Sequence, residues 1–570
     1  MRVEIKKDAG RVGTCPHRLK KVVSMQKNNR TDHLKIMIFM SVIIITLSPL
    51  LAPGSEKPDA LLSVPPHALI VATGSINPEG FDPTQGWGRY GNPLFQSTLL
   101  RRDEHMAIVP DLAETYTLSS DGLCWHIRIR KDALFTDGTK VTARDVAFTC
   151  NQAAKSAGKT DMSLLDTAVA TSDHDLSIYL KHAASTFIFK LTTLGIVPEH
   201  AYGEDYARNP MGSGPYRLVK WDEGQQLIVE ANPLYYGNKP MITRIVFMEM
   251  NEQTAFAAAK AGRVHLVRVP QALAIQKIKG MKRHIAKSVD NRGLCFPVLP
   301  SGQKNTSTGL MVGNSVTADL SIRKAINYVV DRQALVAGIL EGFGSPCQAP
   351  ATGLPWDEEG ARIQDGDLNT ARKILKQDGW QDEDQDGVLS KNGLKAMFTI
   401  YYPADDSIRQ ALAIAVSDRI REIGIQADVI GKSWDDIYKL MHANVVLFGF
   451  GSLDPLEIYR LYRSSSTTDD VYNAGCYQNP VVDQYLDQAL YATSEKEAIS
   501  FWKKAQWDGQ TGFTAKGDAA WCWLVNLDHT YFADERLVMG ELPIEPHENG
   551  MNITATILSW KWIDDQTTSR

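Results

Sequence analysis

Between residues 242 and 269 the chain reads as a strand, then a helix, then a second strand, and that order narrows the fold more than any other feature. Residues 242–250 form the first strand, residues 252–261 an Ala-rich helix ended by Gly262, and residues 263–269 the second strand. Such units join parallel strands through a right-handed crossover, so a parallel pair is expected here. Farther along, Ile322, Ala325, Ile326, Val329 and Val330 recur at helical spacing. Asp331 is placed to cap a second helix that stops at Gly342, and residues 370–377 form a short helix closed by Gly379. Residues 407–423 put Ile408, Leu412, Val416, Ile420 and Ile423 on one face, with Gly424 as a natural C-cap, and strands follow at 426–430 and 445–450. Near the start, Trp125, Ile127 and Ile129 alternate with His126, Arg128 and Arg130 in a half-buried strand. At 570 residues the chain is too long for one core, so two α/β regions spread over two or three domains are expected.

The first 52 residues do not belong with the rest. Residues 36–52, IMIFMSVIIITLSPLLA, are apolar and follow Lys27, Arg30 and Lys35, the layout of a secretory signal. The stretch sits at the lower edge of what spans a bilayer, so a cleaved signal and a retained N-terminal anchor both stay open. No Cys follows it closely, which argues against a lipid-modified N-terminal Cys, and the Pro-rich residues 53–66 read as a linker. Setting residues 1–52 aside leaves 51 Lys+Arg against 63 Asp+Glu, a net charge near −12 that argues against nucleic acid as a partner. Of seven cysteines, six lie beyond the leader (Cys124, Cys150, Cys295, Cys347, Cys476 and Cys522), compatible with disulfides after export or with buried thiols. The enzyme patterns HExxH, GxSxG and GxxxxGK[ST] are absent from the sequence, as is any close Cys/His cluster.

Residues 110–151 carry five linked elements. They are Pro110-Asp111-Leu112-Ala113-Glu114, Asp121-Gly122 with Trp125, Arg130, Phe135 with Asp137-Gly138, and Thr142-Ala143-Arg144-Asp145-Val146. In this order and spacing the segment resembles the signature of the extracellular solute-binding proteins for peptides and nickel, family 5. The resemblance continues through NPMGSGPYRL at 209–218, EANPLYY at 230–236, Ile322-Arg323-Lys324-Ala325-Ile326 with Asp331-Arg332, and AGCYQNPVVD at 474–483, where Cys476 is an oddity. It implies a two-lobed α/β periplasmic-binding-protein fold of type II, with an extra subdomain in the first lobe and a ligand cleft between the lobes. The expected division is a signal or anchor at 1–52, a linker at 53–66, lobe 1 at 67–300, lobe 2 at 301–510 and a return to lobe 1 at 511–570.

Several residues are candidates for the cleft. The resemblance points to Trp87 and Tyr90, in a segment that often faces the ligand. Trp521, Trp523 and His529 belong to an aromatic run expected near the hinge, where alternation puts both Trp on one face, either core or cleft wall. In the peptide-binding branch an Asp near residue 450 meets the peptide's ammonium, since a buried cation requires a paired charge. Here Asp454 serves as a helix cap or as a ligand contact, and an additional upstream Asp is missing. That gap favours a nickel chelate over a peptide and a branch related to nickel uptake, although only His547 stands in a tail where that branch is richer in His. His529 is the candidate metal ligand, with a small carrier completing the coordination, and Arg208 and Arg323 are candidates for its carboxylates. Each of these also has a plain structural reading. Asp382, Asp384 and Asp386 before Gly387 resemble an EF-hand opening, but Gly393 stands where the bidentate Glu is required, so a surface turn is expected. The resulting expectation is a non-enzymatic, monomeric binding component of an ABC importer, periplasmic or anchored by residues 36–52. Its partners are permease and ATPase subunits, and it holds no resident cofactor beyond nickel carried as a chelate. A membrane-anchored solute sensor is the alternative.

Overall fold

The structure is a computed structural model that describes residues 68–563, apart from 75, 92, 104–105, 157–159, 306–307, 465–470 and 548–550. The expected signal or anchor, the linker and Cys15 lie outside the described residues. Among those described, no helix is long and apolar enough to cross a membrane.

In chain order the elements that matter begin with β1 (Leu69–Thr73), β2 (Ala113–Leu118), β3 (Cys124–Ile129), α1 (Ala143–Lys155), β4 (Leu165–Ala170) and β5 (Asp175–Leu180). There follow β6 (Tyr216–Asp222), β7 (Gln226–Ala231), β8 (Arg244–Glu249), α2 (Glu252–Lys260), β9 (Leu266–Val269) and β10 (Met281–Ala286). The remainder comprises β11 (Asn291–Cys295), α3 (Leu320–Val329), α4 (Arg332–Ile339), β12 (Gly344–Pro346), β13 (Met397–Pro403), α5 (Ser407–Arg421), β14 (Gln426–Lys432), β15 (Val445–Phe450), α6 (Leu456–Tyr462), β16 (Trp521–Leu527) and β17 (His529–Asp534).

Three sheets organise them. The first lobe is a seven-stranded sheet in the order β10-β17-β9-β1-β8-β7-β6, and the second a six-stranded sheet in the order β12-β16-β11-β15-β13-β14. A four-stranded antiparallel sheet, β2-β3-β5-β4, packs against α1 as the extra subdomain. The expected parallel pair exists with one difference. β8 and β9 run parallel but do not touch, because β1 lies between them, pairing Leu69 with Ile245 and Val71 with Leu266. The reason is burial: β1 is an almost fully buried apolar run and takes the centre of the sheet, where both faces are covered.

Local chemistry sets the helix starts. Asp319, Asp331 and Asp406 cap α3, α4 and α5 by accepting the backbone N–H of Ser321, Ala334 and Arg409. The short helix expected from residue 370 starts two residues earlier, at Leu368, because Asp367 accepts the Thr370 N–H and fixes its first turn. All six described cysteines are buried and none is in a disulfide. Asp382, Asp384 and Asp386 form an exposed turn in which the Lys395 ammonium bonds both Asp384 and Asp386.

Candidate functional site

The two large sheets are joined twice. Residues 287–290 lead from β10 into β11, and Asp528 alone leads from β16 back into β17. In the first sheet Ala286 pairs with His529 and Val269 with Thr530, so β9, β10 and the parallel β1 and β8 all end at the crossovers. In the second, Asn291 opens β11 opposite Phe450, which closes β15, and opposite Asn526 of β16. β13 and β14 run parallel to β15 and end on the same side. Both sheets thus aim the carboxyl ends of their parallel strands at one seam, the position where open α/β sheets hold ligands.

The seam is polar at its base. Asp290, on the first crossover, accepts from Arg292, from His547 Nδ1 at 2.6 Å and from His529 Nε2 at 3.2 Å. The other His529 nitrogen, Nδ1, meets Glu545 at 2.6 Å, and Tyr531 donates to the same carboxylate at 2.8 Å. Burial works against the Asp290 carboxylate, but Arg292 and the two histidines outweigh it and hold its pKa well below the usual range. One step along β11, Arg292 faces Gly449 of β15. Arg409, in the first turn of α5, reaches the same glycine from the other side and bonds Asp406. A Cβ on Gly449 would lie 2.7 Å from Arg292 Nη1, 2.7 Å from Arg409 Nη2 and 2.9 Å from the Asn291 carbonyl oxygen, so a larger residue there would force the two guanidiniums to shift.

Aromatic rings wall the lobe 2 side. The Arg409 guanidinium sits 5.7 Å from the Trp434 ring, which stacks on Phe448 at 6.0 Å. Phe448 meets Trp521, and Phe450 stacks on Tyr472 at 5.1 Å. From lobe 1, Lys190 pairs with Asp454 at 3.0 Å, Arg102 donates to the Leu453 carbonyl at 2.7 Å and Asp161 pairs with Arg460. Burial, and then the Glu457 carboxylate, push the Tyr472 hydroxyl up to about 12.

The residues singled out from sequence fall in different places. Tyr90 is half-buried, with the Arg89 guanidinium 4.6 Å from its ring centre. Trp87 is buried, bonded to the Pro93 carbonyl at 2.7 Å and packed on Phe81. Arg208 is exposed, paired with Glu223 at 2.8 Å and stacked on Trp221. Arg323 is buried, and its guanidinium is engaged by the carbonyls of Thr317, Ala318 and Asp518. Asp454 accepts the Leu456 N–H at 2.9 Å at the start of α6 besides pairing with Lys190. Trp521 and Trp523 lie parallel with centroids 4.6 Å apart, both buried, and Trp523 donates to Tyr462. His529 is 1% exposed, and each ring nitrogen faces a carboxylate. Asp290, Arg292 and Arg409 escaped notice. The available signal was the polar triplet Asp290-Asn291-Arg292 opening an otherwise apolar strand.

Glu457 adds a pH-sensitive element. Burial lifts its carboxyl to about 7, although it accepts the backbone N–H of Gly451 and Ser452. Between its ordinary value of 4.5 and about 7 the folded chain holds a proton that the unfolded chain has released, so this group lowers stability as pH rises through that window. Glu457→Gln is therefore expected to flatten the decline in urea stability between about pH 5 and about pH 7.5. An unchanged slope would show that Glu457 does not titrate there.

Comparison with known proteins identifies the architecture. Residues 107–470 match the family model described as bacterial extracellular solute-binding proteins, family 5 Middle. The chain belongs to that family. It is 30% identical over 486 residues to Protein XP55 of Streptomyces lividans, covering 82% of this chain and 85% of that protein. In fold it is similar to NikZ of Campylobacter jejuni solved with Ni(L-His), with a TM-score of 0.73, 23% identity, and coverage of 87% of this chain and 100% of NikZ. It is similar also to the oligopeptide-binding protein AppA of Bacillus subtilis solved with a nonapeptide, with a TM-score of 0.66, 21% identity, and coverage of 87% and 99%. The two-lobed, type II arrangement of this family is the one described above, and its members are solute-binding transport proteins.

Proposed function

We propose that the chain is the substrate-binding component of an ABC importer, capturing a small solute between its lobes and delivering it to a membrane permease and its ATPase. The observation that carries this reading is the double crossover, which brings the strand ends of both sheets to one seam lined by donors and aromatic rings. Lobes joined by two short segments can close on a solute, and closure gives a permease a state to recognise. A nickel chelate is the favoured cargo. With both His529 nitrogens engaged by carboxylates, the carrier itself would complete the metal's coordination. An oligopeptide is the alternative cargo, and Asp454, already bound to Lys190 and the α6 start, supports it less. We place the chain in the periplasm, exported by residues 36–52.

Calorimetry on the exported chain tests this with Ni(II)–L-histidine and with di- to tetrapeptides. Saturable binding of the chelate is expected, accompanied by a rise in melting temperature. A peptide bound tightly with no response to the chelate would overturn the preferred cargo. The intact mass of the same material reads whether residues 36–52 have been removed, as periplasmic release requires, and their retention would favour an anchored protein.

A further inference from the structure

Arg292 and Arg409 are unusual as buried cations. Their side chains are 8% and 10% exposed, and they converge on one glycine. Each bonds one carboxylate, and the charge of Asp290 also acts on Arg409. The partner of Arg292, Asp290, is shared with His529 and His547, and that of Arg409, Asp406, is also the cap of α5. Burial first, and then the charge of Arg292, bring the Arg409 guanidinium down to about 10. Two like charges held this close out of water are costly unless an anion lies between them.

The surrounding polar atoms point the same way. Arg292 Nε, Arg409 Nε and Asn291 Nδ2 are buried N–H groups without a hydrogen-bond acceptor among the described residues. All three are donors, and all belong to residues grouped at the end of β15. Gly449 and Phe450 there keep partial exposure on the seam, and Trp434 offers a flat face beside Arg409. A cationic group brought to this point would meet two guanidiniums. A planar oxyanion would meet forked donors of matching geometry.

We propose that Arg292 and Arg409, with Asn291, form the receptor for a carboxylate of the captured solute and so fix which end of it enters the seam. The assignment rests on the solute-capture reading above. It concerns a carboxylate whether a metal carrier or a peptide C-terminus supplies it.

The test compares acids with their amides on the full exported chain by calorimetry: Ni(II)–L-histidine against Ni(II)–L-histidinamide, and tetra-alanine against its C-terminal amide. The acid form of the true cargo class is expected to bind about tenfold or more tighter than its amide. Arg409→Gln should weaken the acid by a similar factor and the amide by much less, so that the gap between them closes. Preference confined to the nickel pair assigns the carboxylate to the carrier, and preference confined to the peptide pair assigns it to the C-terminus. The wild-type comparison needs no variant to fold. Acid and amide bound equally, or a gap that survives in Arg409→Gln, overturns the receptor and leaves solute capture standing. Failure of the wild type to bind any of the four probes removes the capture reading and this proposal together.

Discussion

Replacing Asp290 with asparagine is expected to cost about 3–5 kcal/mol of stability, the scale for breaking a buried ion pair by removing one partner. Asp290 is 2% exposed and accepts from a guanidinium and two imidazoles at once. Asparagine keeps the shape, but it removes the charge opposite Arg292 and turns one acceptor into a donor facing other donors. The pH dependence has a definite sign. A carboxyl whose folded pKa is depressed contributes stability above its unfolded pKa of about 4, and that contribution disappears only as pH falls through the lower folded value. Urea denaturation of the two proteins should therefore differ most from neutrality down to about pH 4 and converge in stronger acid. A loss below about 1 kcal/mol at neutral pH would mean that the cluster at the seam is not held together by Asp290.

Arg332→Met should destabilise the second lobe by a similar amount, about 3–5 kcal/mol. The side chain is fully buried and bonds the carbonyls of Cys347 and Trp523 at 3.0 and 2.6 Å, the Asn327 carbonyl at 3.2 Å and Asp365 at 2.5 Å. It ties α3 and the segment after β12 to the Trp523 strand. Methionine fills much of the volume but donates nothing, leaving three carbonyls without this donor and a half-buried carboxylate without its counter-charge. A lower urea midpoint with an unchanged slope is the expected result. A midpoint equal to the wild type's would show that the network is dispensable.

What the sequence made legible follows from the range of each interaction. Asp331 as a cap, the face of α5 and the strand at 445–450 depend on neighbours within a few positions, and they stand in the structure much as the pattern implies. The order of the first sheet does not, because β1 must travel more than 170 residues to reach β8, and no local pattern records that pairing. The site behaves likewise. His529 draws attention as an aromatic, metal-prone residue, yet its environment is set by Asp290, 239 positions away, and by Glu545, 16 positions away. Arg292 and Arg409 look like ordinary charges until the pairing of Arg292 with Gly449 brings them to one point. Residue type alone drew attention to His529, whereas long-range register is what brings Asp290, Arg292 and Arg409 together.

The single residue between β16 and β17 has a mechanical consequence. Asp528 is itself pinned: its N–H donates to the Phe343 carbonyl at 3.1 Å, its carbonyl accepts from Gln271 at 2.8 Å and its carboxylate pairs with Lys287 at 2.7 Å. One residue contributes only two soft dihedrals. The two halves of the molecule therefore have a pivot with almost no slack, able to rotate but not to drift apart or slide. Distances measured between dyes on the two halves should fall into two narrow populations, and a permease reading that angle receives a yes-or-no signal.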